Sequence, residues 1–135
     1  MKSNSARQTQ KIAEDFAKKI PQKREQAFII ALRGYLGGGK TTFAQGLAKG
    51  LGIKEKINSP TFNICKRYKN FYHFDCYRIE NSKEILDLGF KEIAENPNNI
   101  VAIEWAERIK DILPKNTHWI DFKFLEKEKR TIDFL

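Results

Sequence analysis

Cysteine is scarce. Cys65 and Cys76 are the only two in 135 residues, and their spacing is not C-x-x-C. That excludes a disulfide-stapled scaffold and gives no thiolate metal signature, so both thiols are expected free and reduced. No apolar run approaches the roughly 20 residues that cross a bilayer. The opening stretch MKSNSARQTQKIAEDF is polar and lacks the apolar core of a secretion signal. A cytoplasmic location and no membrane contact are expected. There are only four prolines, no internal repeat and no Pro/Gly/Ser linker. A hydrophobic share of 41% beside 31% charged residues excludes disordered, collagenous and low-complexity classes. One domain over residues 1–135 is expected, with enough core to fold without a staple.

The formal net charge is +8. It is unevenly spread: residues 54–78 hold six basic and two acidic side chains, residues 79–111 four basic and eight acidic. A basic surface attracts phosphates, but no tight Arg run with interleaved aromatics marks a nucleic-acid face.

Along the chain, Ile12, Phe16 and Ile20 recur at helical spacing over residues 5–20, with Pro21 as a stop. AFIIALR at 27–33 reads as a buried strand, and FAQGLAKGLG at 43–52 as a helix. Residues 62–78 read as two strands around a turn at Lys69-Asn70. Asn81 and Glu84 form a capping-box-like start for a helix through about Ala94, weakened by Gly89. NIVAIEW at 99–105 is a second buried strand, AERIKDIL a short helix, and residues 117–124 with 130–134 alternate as edge strands, the pattern of a hairpin. Strands alternating with helices predict an α/β fold with a partly parallel central sheet, and the glycine-rich segment between the first strand and its helix makes that a three-layer, P-loop NTPase-like fold.

Between the first buried strand and its helix stands Gly34-Tyr35-Leu36-Gly37-Gly38-Gly39-Lys40-Thr41, which fits G-x-x-x-x-G-K-[ST]. Gly37, Gly38 and Gly39 let consecutive backbone N–H groups curl around phosphate oxygens without Cβ clashes. Lys40, its stem expected to be solvated, brings a charge to the β- and γ-phosphates, and Thr41 offers a hydroxyl to Mg²⁺. Thr42 lies where it can reach the α-phosphate, and the helix directs its positive end at the anion. The context of strand before and helix after predicts a purine nucleoside triphosphate site. No NKxD segment supports guanine readout, and no LSGGQ-like segment points to a transporter ATPase.

Hydrolysis needs a second metal-side group and something to orient water. Asp75 and Glu104 each end an apolar strand. Glu104 follows the cleaner buried strand and is the first choice for the metal side, with Asp75 the other candidate. Lys40, Asp75 and Glu104 are the expected catalytic set. His73 reads as a packed or hydrogen-bonded residue rather than a catalytic one. Trp105 sits at the strand's C-terminal edge, the ligand side of an open α/β sheet.

Several short segments coincide with one family. GYLGGGKTT at 34–42, SPTF at 59–62, HFDCYR at 73–78 and EW at 104–105 resemble, in order and spacing, the TsaE (YjeE) family of small ATPases in bacterial threonylcarbamoyladenosine modification of tRNA. The resemblance spans roughly residues 5–124. It implies ATP rather than GTP, and Mg²⁺ held by Thr41 and Glu104. It implies that Ser59, Pro60, Thr61 and Phe62 form a nucleotide-sensitive switch segment together with HxDxYR, and that Asp75 matters for hydrolysis. It also implies a TsaB–TsaD partner complex that modifies the adenosine beside the anticodon, with tRNA touched indirectly. Trp105 is then partner-facing or supports the site. Ser5 and Thr9 loosely match a family spacing near the adenine. The family loop usually reads GDLGAGKT, so Tyr35 here stands in place of an acid and Gly38 in place of Ala. An ATP-gated binding module with little hydrolysis and a small-molecule kinase are the alternative readings.

Overall fold

A computed structural model describes residues 1–34, 39–58, 64–127 and 129–135. The elements are β1 (Lys2–Ser3), α1 (Ala6–Lys18), β2 (Phe28–Arg33), α2 (Lys40–Gly50), β3 (Cys65–Tyr68), β4 (Phe71–Asp75), α3 (Lys83–Leu86), α4 (Phe90–Glu95), β5 (Ile100–Glu104), a 3₁₀ segment (Ala106–Ile112), β6 (His118–Glu126) and β7 (Lys129–Phe134). The strands form one sheet in the order β1-β7-β6-β2-β5-β4-β3. β6, β2, β5 and β4 run parallel, while β1, β7 and β3 pair antiparallel with their neighbours. The fold is the mixed α/β architecture expected from the sequence.

The apolar runs of β2 and β5 are continuous because both faces of the sheet are covered. With a side-chain period of two, Ile30, Leu32, Ile100 and Ala102 pack with Phe43 and Leu47 of α2 and Ala13 and Ala17 of α1. Ile29, Ala31, Val101 and Ile103 pack on the other face with Ile85, Phe90 and Ile109. Two helical layers therefore enclose the sheet.

α1 starts at Ser5, whose Oγ accepts from Gln8 N at 3.1 Å, an N-cap contact. The helix is shorter than the expected 5–20 by a residue or two at each end. α2 begins at Lys40 rather than residue 43, because the loop's last glycine, Gly39, already forms the turn into it. The predicted helix to Ala94 has its expected start: Asn81 Oδ1 accepts from Lys83 N at 3.0 Å and Glu84 Oε2 from Asn81 N at 3.2 Å. It splits into α3 and α4 at Gly89, whose φ of 86° is left-handed. The 106–113 helix is 3₁₀ and is interrupted at Ile109. The C-terminal hairpin forms, but neither strand is an edge. β6 pairs parallel with β2, and β7 is covered by β1, a two-residue strand that gives no alternation to read. The N-terminal amino group adds a bond to Ile132 O at 3.1 Å.

α1 and α2 approach closely at Gly46. A Cβ there would lie 2.4 Å from Gln10 O and 2.7 Å from Ala13 Cβ. Elsewhere in a helix, Gly→Ala gains up to about 1 kcal/mol in propensity. Here Gly46→Ala is expected to lose about 1–3 kcal/mol from overpacking, read as a lower urea midpoint. An unchanged or raised midpoint would show that the helix pair yields at this point.

Candidate functional site

The site lies where β2, β5 and β4 end level with one another. Leu32 is in register with Glu104, and Glu104 with Asp75. The period of two turns Glu104, two residues beyond Ala102, toward the α2 face, and His73 and Asp75 follow Phe71 to the same face.

Glu104 is 4% exposed. Thr41, in the first turn of α2, places Oγ1 2.8 Å from both carboxylate oxygens, where its one proton can go to either. His73, fully buried, places Nε2 2.7 Å from Glu104 Oε2. A buried carboxylate needs such partners, since an uncompensated one is costly.

Lys40 opens α2 after Gly39, whose φ of 96° is left-handed. Lys40 is only 4% exposed, which corrects the expectation of a solvated stem. Its ammonium donates to Gly34 O and lies 4.4 Å from the centroid of the Trp105 ring. Burial lowers its pKa, opposed by the negative charges of Glu104, Glu107 and Asp75. Trp105 has φ 57°, uncommon for a bulky residue, and this turn at the end of β5 puts the indole beside Lys40. Tyr77 lies 5.0 Å from the indole, and the Arg108 guanidinium 5.6 Å from it.

Asp75 ends β4, and its Oδ1 accepts from Tyr77 N at 3.0 Å. Thr42 is half-buried in the first turn of α2, Arg78 is exposed, and Lys54, Lys56, Lys66, Arg67 and Lys69 are all exposed. Ser5 caps α1, and buried Thr9 bonds Ser3 Oγ at 2.7 Å, so both serve the α1–β1 junction. Tyr35, Gly37, Gly38 and the segment Ser59, Pro60, Thr61 and Phe62 lie outside the described residues. The described residues flanking that segment are tied to the site elements. Gln45 of α2 donates to Ile57 O at 2.8 Å, and Asp75 N donates to Ile64 O at 2.8 Å.

The structure thus brings Lys40, Thr41, Glu104 and Trp105 together, with Asp75 level with Glu104 on the neighbouring strand. One residue joins in the hydrogen-bonded role that the sequence reading gave it, and one joins that it did not name. His73 bonds Glu104, and its signal was parity with Asp75 on β4. Arg130, 7% exposed, lies against Gly39, where an added Cβ would fall 2.0 Å from a guanidinium nitrogen. Its signal was an arginine sharing the inward parity of Ile132.

The oxygen donors Thr41 and Glu104 suit a hard cation such as Mg²⁺. Among the described residues no group of three or more His, Cys, Asp or Glu forms a metal cage.

A parallel central sheet, a Gly-Lys-Thr helix start beside its middle strand and a carboxylate ending the next strand make up the layout of the P-loop class. Comparison with known proteins narrows this. The family model described as threonylcarbamoyl adenosine biosynthesis protein TsaE matches residues 3–132. The chain is 39% identical to the Rickettsia typhi tRNA threonylcarbamoyladenosine biosynthesis protein TsaE over 127 residues, 90% of this chain and 87% of that one. It is 41% identical to the Bacillus subtilis protein of that name over 110 residues, 78% and 68% of the two chains. The crystal structure of Bacillus subtilis YdiB superposes with a TM-score of 0.76 at 29% identity, covering 99% of this chain and 82% of that one. The chain belongs to the TsaE family.

Two thiols flank the site without serving it. Burial pushes Cys65 up to about 11 and Cys76 up to about 12, from 9.0. Because the reactive form is the thiolate, neither is expected to react with Ellman's reagent at pH 8 until the chain is unfolded. A folded-state pKa above the unfolded value stabilises below pH 9, so stability is expected to fall as pH rises from 9 toward 11. Rapid labelling of the folded chain, or a flat stability profile over that range, would contradict this environment.

Proposed function

We propose that this chain binds ATP and Mg²⁺ and hydrolyses ATP to support a TsaB–TsaD-type complex in forming threonylcarbamoyladenosine beside the anticodon of tRNA. The observation that carries the reading is the pairing of Thr41 Oγ1 with the buried Glu104 carboxylate at 2.8 Å, beside Lys40 at the positive end of α2. Lys40 would contact the β- and γ-phosphate oxygens, and the loop from Gly37 through Gly39 would line them with backbone N–H groups. Thr41 and Glu104 would hold Mg²⁺, Glu104 directly or through water, and the cation would neutralise charge on the phosphates. Thr42 would reach the α-phosphate.

Asp75 would orient the water that attacks the γ-phosphorus. The bond from that phosphorus to the β-phosphate oxygen breaks, and ADP and phosphate leave. Ser59 to Phe62 would act as the segment that senses the γ-phosphate, its flanks tied to α2 and β4. Trp105 and Tyr77, beside Arg108, offer a partner an aromatic surface at the edge of the site. Contacts with the γ-phosphate favour one arrangement of such a segment and hydrolysis removes them, which makes the chain a switch.

Three variants test the roles. Lys40→Met keeps a buried stem and removes the charge, and is expected to abolish tight ATP binding while the chain stays folded. Glu104→Gln is expected to weaken Mg²⁺ dependence, and Asp75→Asn to lower hydrolysis with binding kept. Titration calorimetry with ATP at varied Mg²⁺ and a phosphate-release assay separate them. ATP binding by Lys40→Met equal to the parent would remove the phosphate site, and the reverse pattern for the two acids would exchange their roles.

The partner requirement has its own test. The isolated chain is expected to hydrolyse ATP slowly and to be accelerated by the purified partner complex. Because Lys54, Lys56, Lys66, Arg67 and Lys69, which flank residues 59–62 in the sequence, are exposed, the acceleration is expected to weaken with added salt. Full-speed turnover unaffected by partners would leave a free-standing ATPase, and labelled γ-phosphate on a small molecule a kinase.

A further inference from the structure

The magnesium reading assigns Glu104 and Thr41 but leaves His73 without a task. Its ring is fully buried on β4, with Nε2 2.7 Å from Glu104 Oε2. Nδ1 is also buried and has no hydrogen-bond partner among the described residues. All of the polar capacity that this side chain uses is therefore directed at one carboxylate oxygen. The position lies between Phe71 and Phe74 in a strand buried on both faces, where an apolar ring would pack without leaving a nitrogen unpaired. What histidine adds is that one bond.

The bond has a directional consequence. Among the described residues, Oε2 of Glu104 has two donors near it, His73 Nε2 and Thr41 Oγ1, and Oε1 has one, Thr41 Oγ1. A hydroxyl has one proton and can give it to one oxygen at a time. The ring, set by the parallel pairing that matches His73 with Ala102 and Asp75 with Glu104, anchors Oε2 and fixes the carboxylate's rotation. Oε1 is left turned toward Thr41 with lone pairs to offer.

We propose that His73 is the positioning residue of the metal side: it clamps Glu104 Oε2 so that Oε1, with Thr41 Oγ1, forms a preset oxygen pair for Mg²⁺ at the bound nucleotide. This rests on the proposed magnesium role of Thr41 and Glu104. Outer partners that orient a metal ligand are commonly worth about 10–100-fold in metal affinity.

The test uses the full chain with ADP, and Mn²⁺ as the probe metal read by electron paramagnetic resonance. His73→Phe is expected to weaken Mn²⁺ uptake by the ADP complex about 10–100-fold. ADP affinity measured without metal should stay within about twofold, since the ring touches no phosphate-binding group. In His73→Gln an amide nitrogen can reach the place of Nε2, so most of the metal affinity is expected to return. Unchanged Mn²⁺ affinity in His73→Phe, or a parallel loss of metal-free ADP affinity, would overturn the proposal. A parent that takes up no Mn²⁺ with ADP would overturn the magnesium reading and this role with it.

A second arm does not need the variants to fold. Nitrogen NMR of the parent is expected to show the His73 proton on Nε2, with a resonance that moves when Mg²⁺ is added to the ADP complex. A proton resident on Nδ1 alone, or a resonance indifferent to the metal, would overturn the assignment.

Discussion

The structure turns on one buried negative charge. Glu104 ends a strand whose five residues are all buried, and a carboxylate in that position survives only if its surroundings compensate it. Three groups from two elements do so: the Thr41 hydroxyl and the Lys40 ammonium of α2, the latter's charge favoured by Glu104 against desolvation, and the His73 ring on β4. Each must arrive at the same place. The pairing register of β4 with β5, the seating of α2 on the sheet and the glycine turn that starts α2 can all be read as conditions for that meeting.

Packing enforces those conditions. Gly46 lets α2 lie against α1, and Phe43 and Leu47 fasten the same helix to the sheet. The helix that carries Lys40 and Thr41 is therefore held from both sides. At the outer rim, the left-handed turn at Trp105 carries an indole over Lys40, and Arg108 and Tyr77 continue that surface. Under the proposed function, that packed floor would hold the charged ligand and the aromatic rim would meet the partner.

Much of this was visible in the sequence because it is local. The Gly-Lys-Thr run, the strand before it and the acids ending two apolar strands are contiguous patterns, and Lys40, Thr41 and Glu104 do converge. The features that were not visible depend on pairing between distant segments. A two-residue strand such as β1 has no periodicity, and only its partner β7 defines it. Whether β6 is an edge depends on where β2 lies, which alternation within 117–124 does not encode. Gly89 showed a weak point in a helix but not that its left-handed φ would divide it. His73 read as a packed or hydrogen-bonded residue, but its partner, Glu104, sits on another strand 31 positions away, which nothing within β4 names. Lys40 was expected in solvent because a motif says what a lysine does for a ligand and nothing of what covers it.

The central claim is that Thr41 and Glu104 together form the metal side of a nucleotide site at the head of α2. Its most direct test is an anomalous difference map from crystals grown with Mn²⁺ and a non-hydrolysable ATP analogue. The account predicts one strong peak about 2.1 Å from Thr41 Oγ1, with Glu104 as a direct or water-bridged ligand and the β- and γ-phosphates completing the shell. Phosphates bound elsewhere, or a metal peak whose ligands include neither Thr41 nor Glu104, would contradict it.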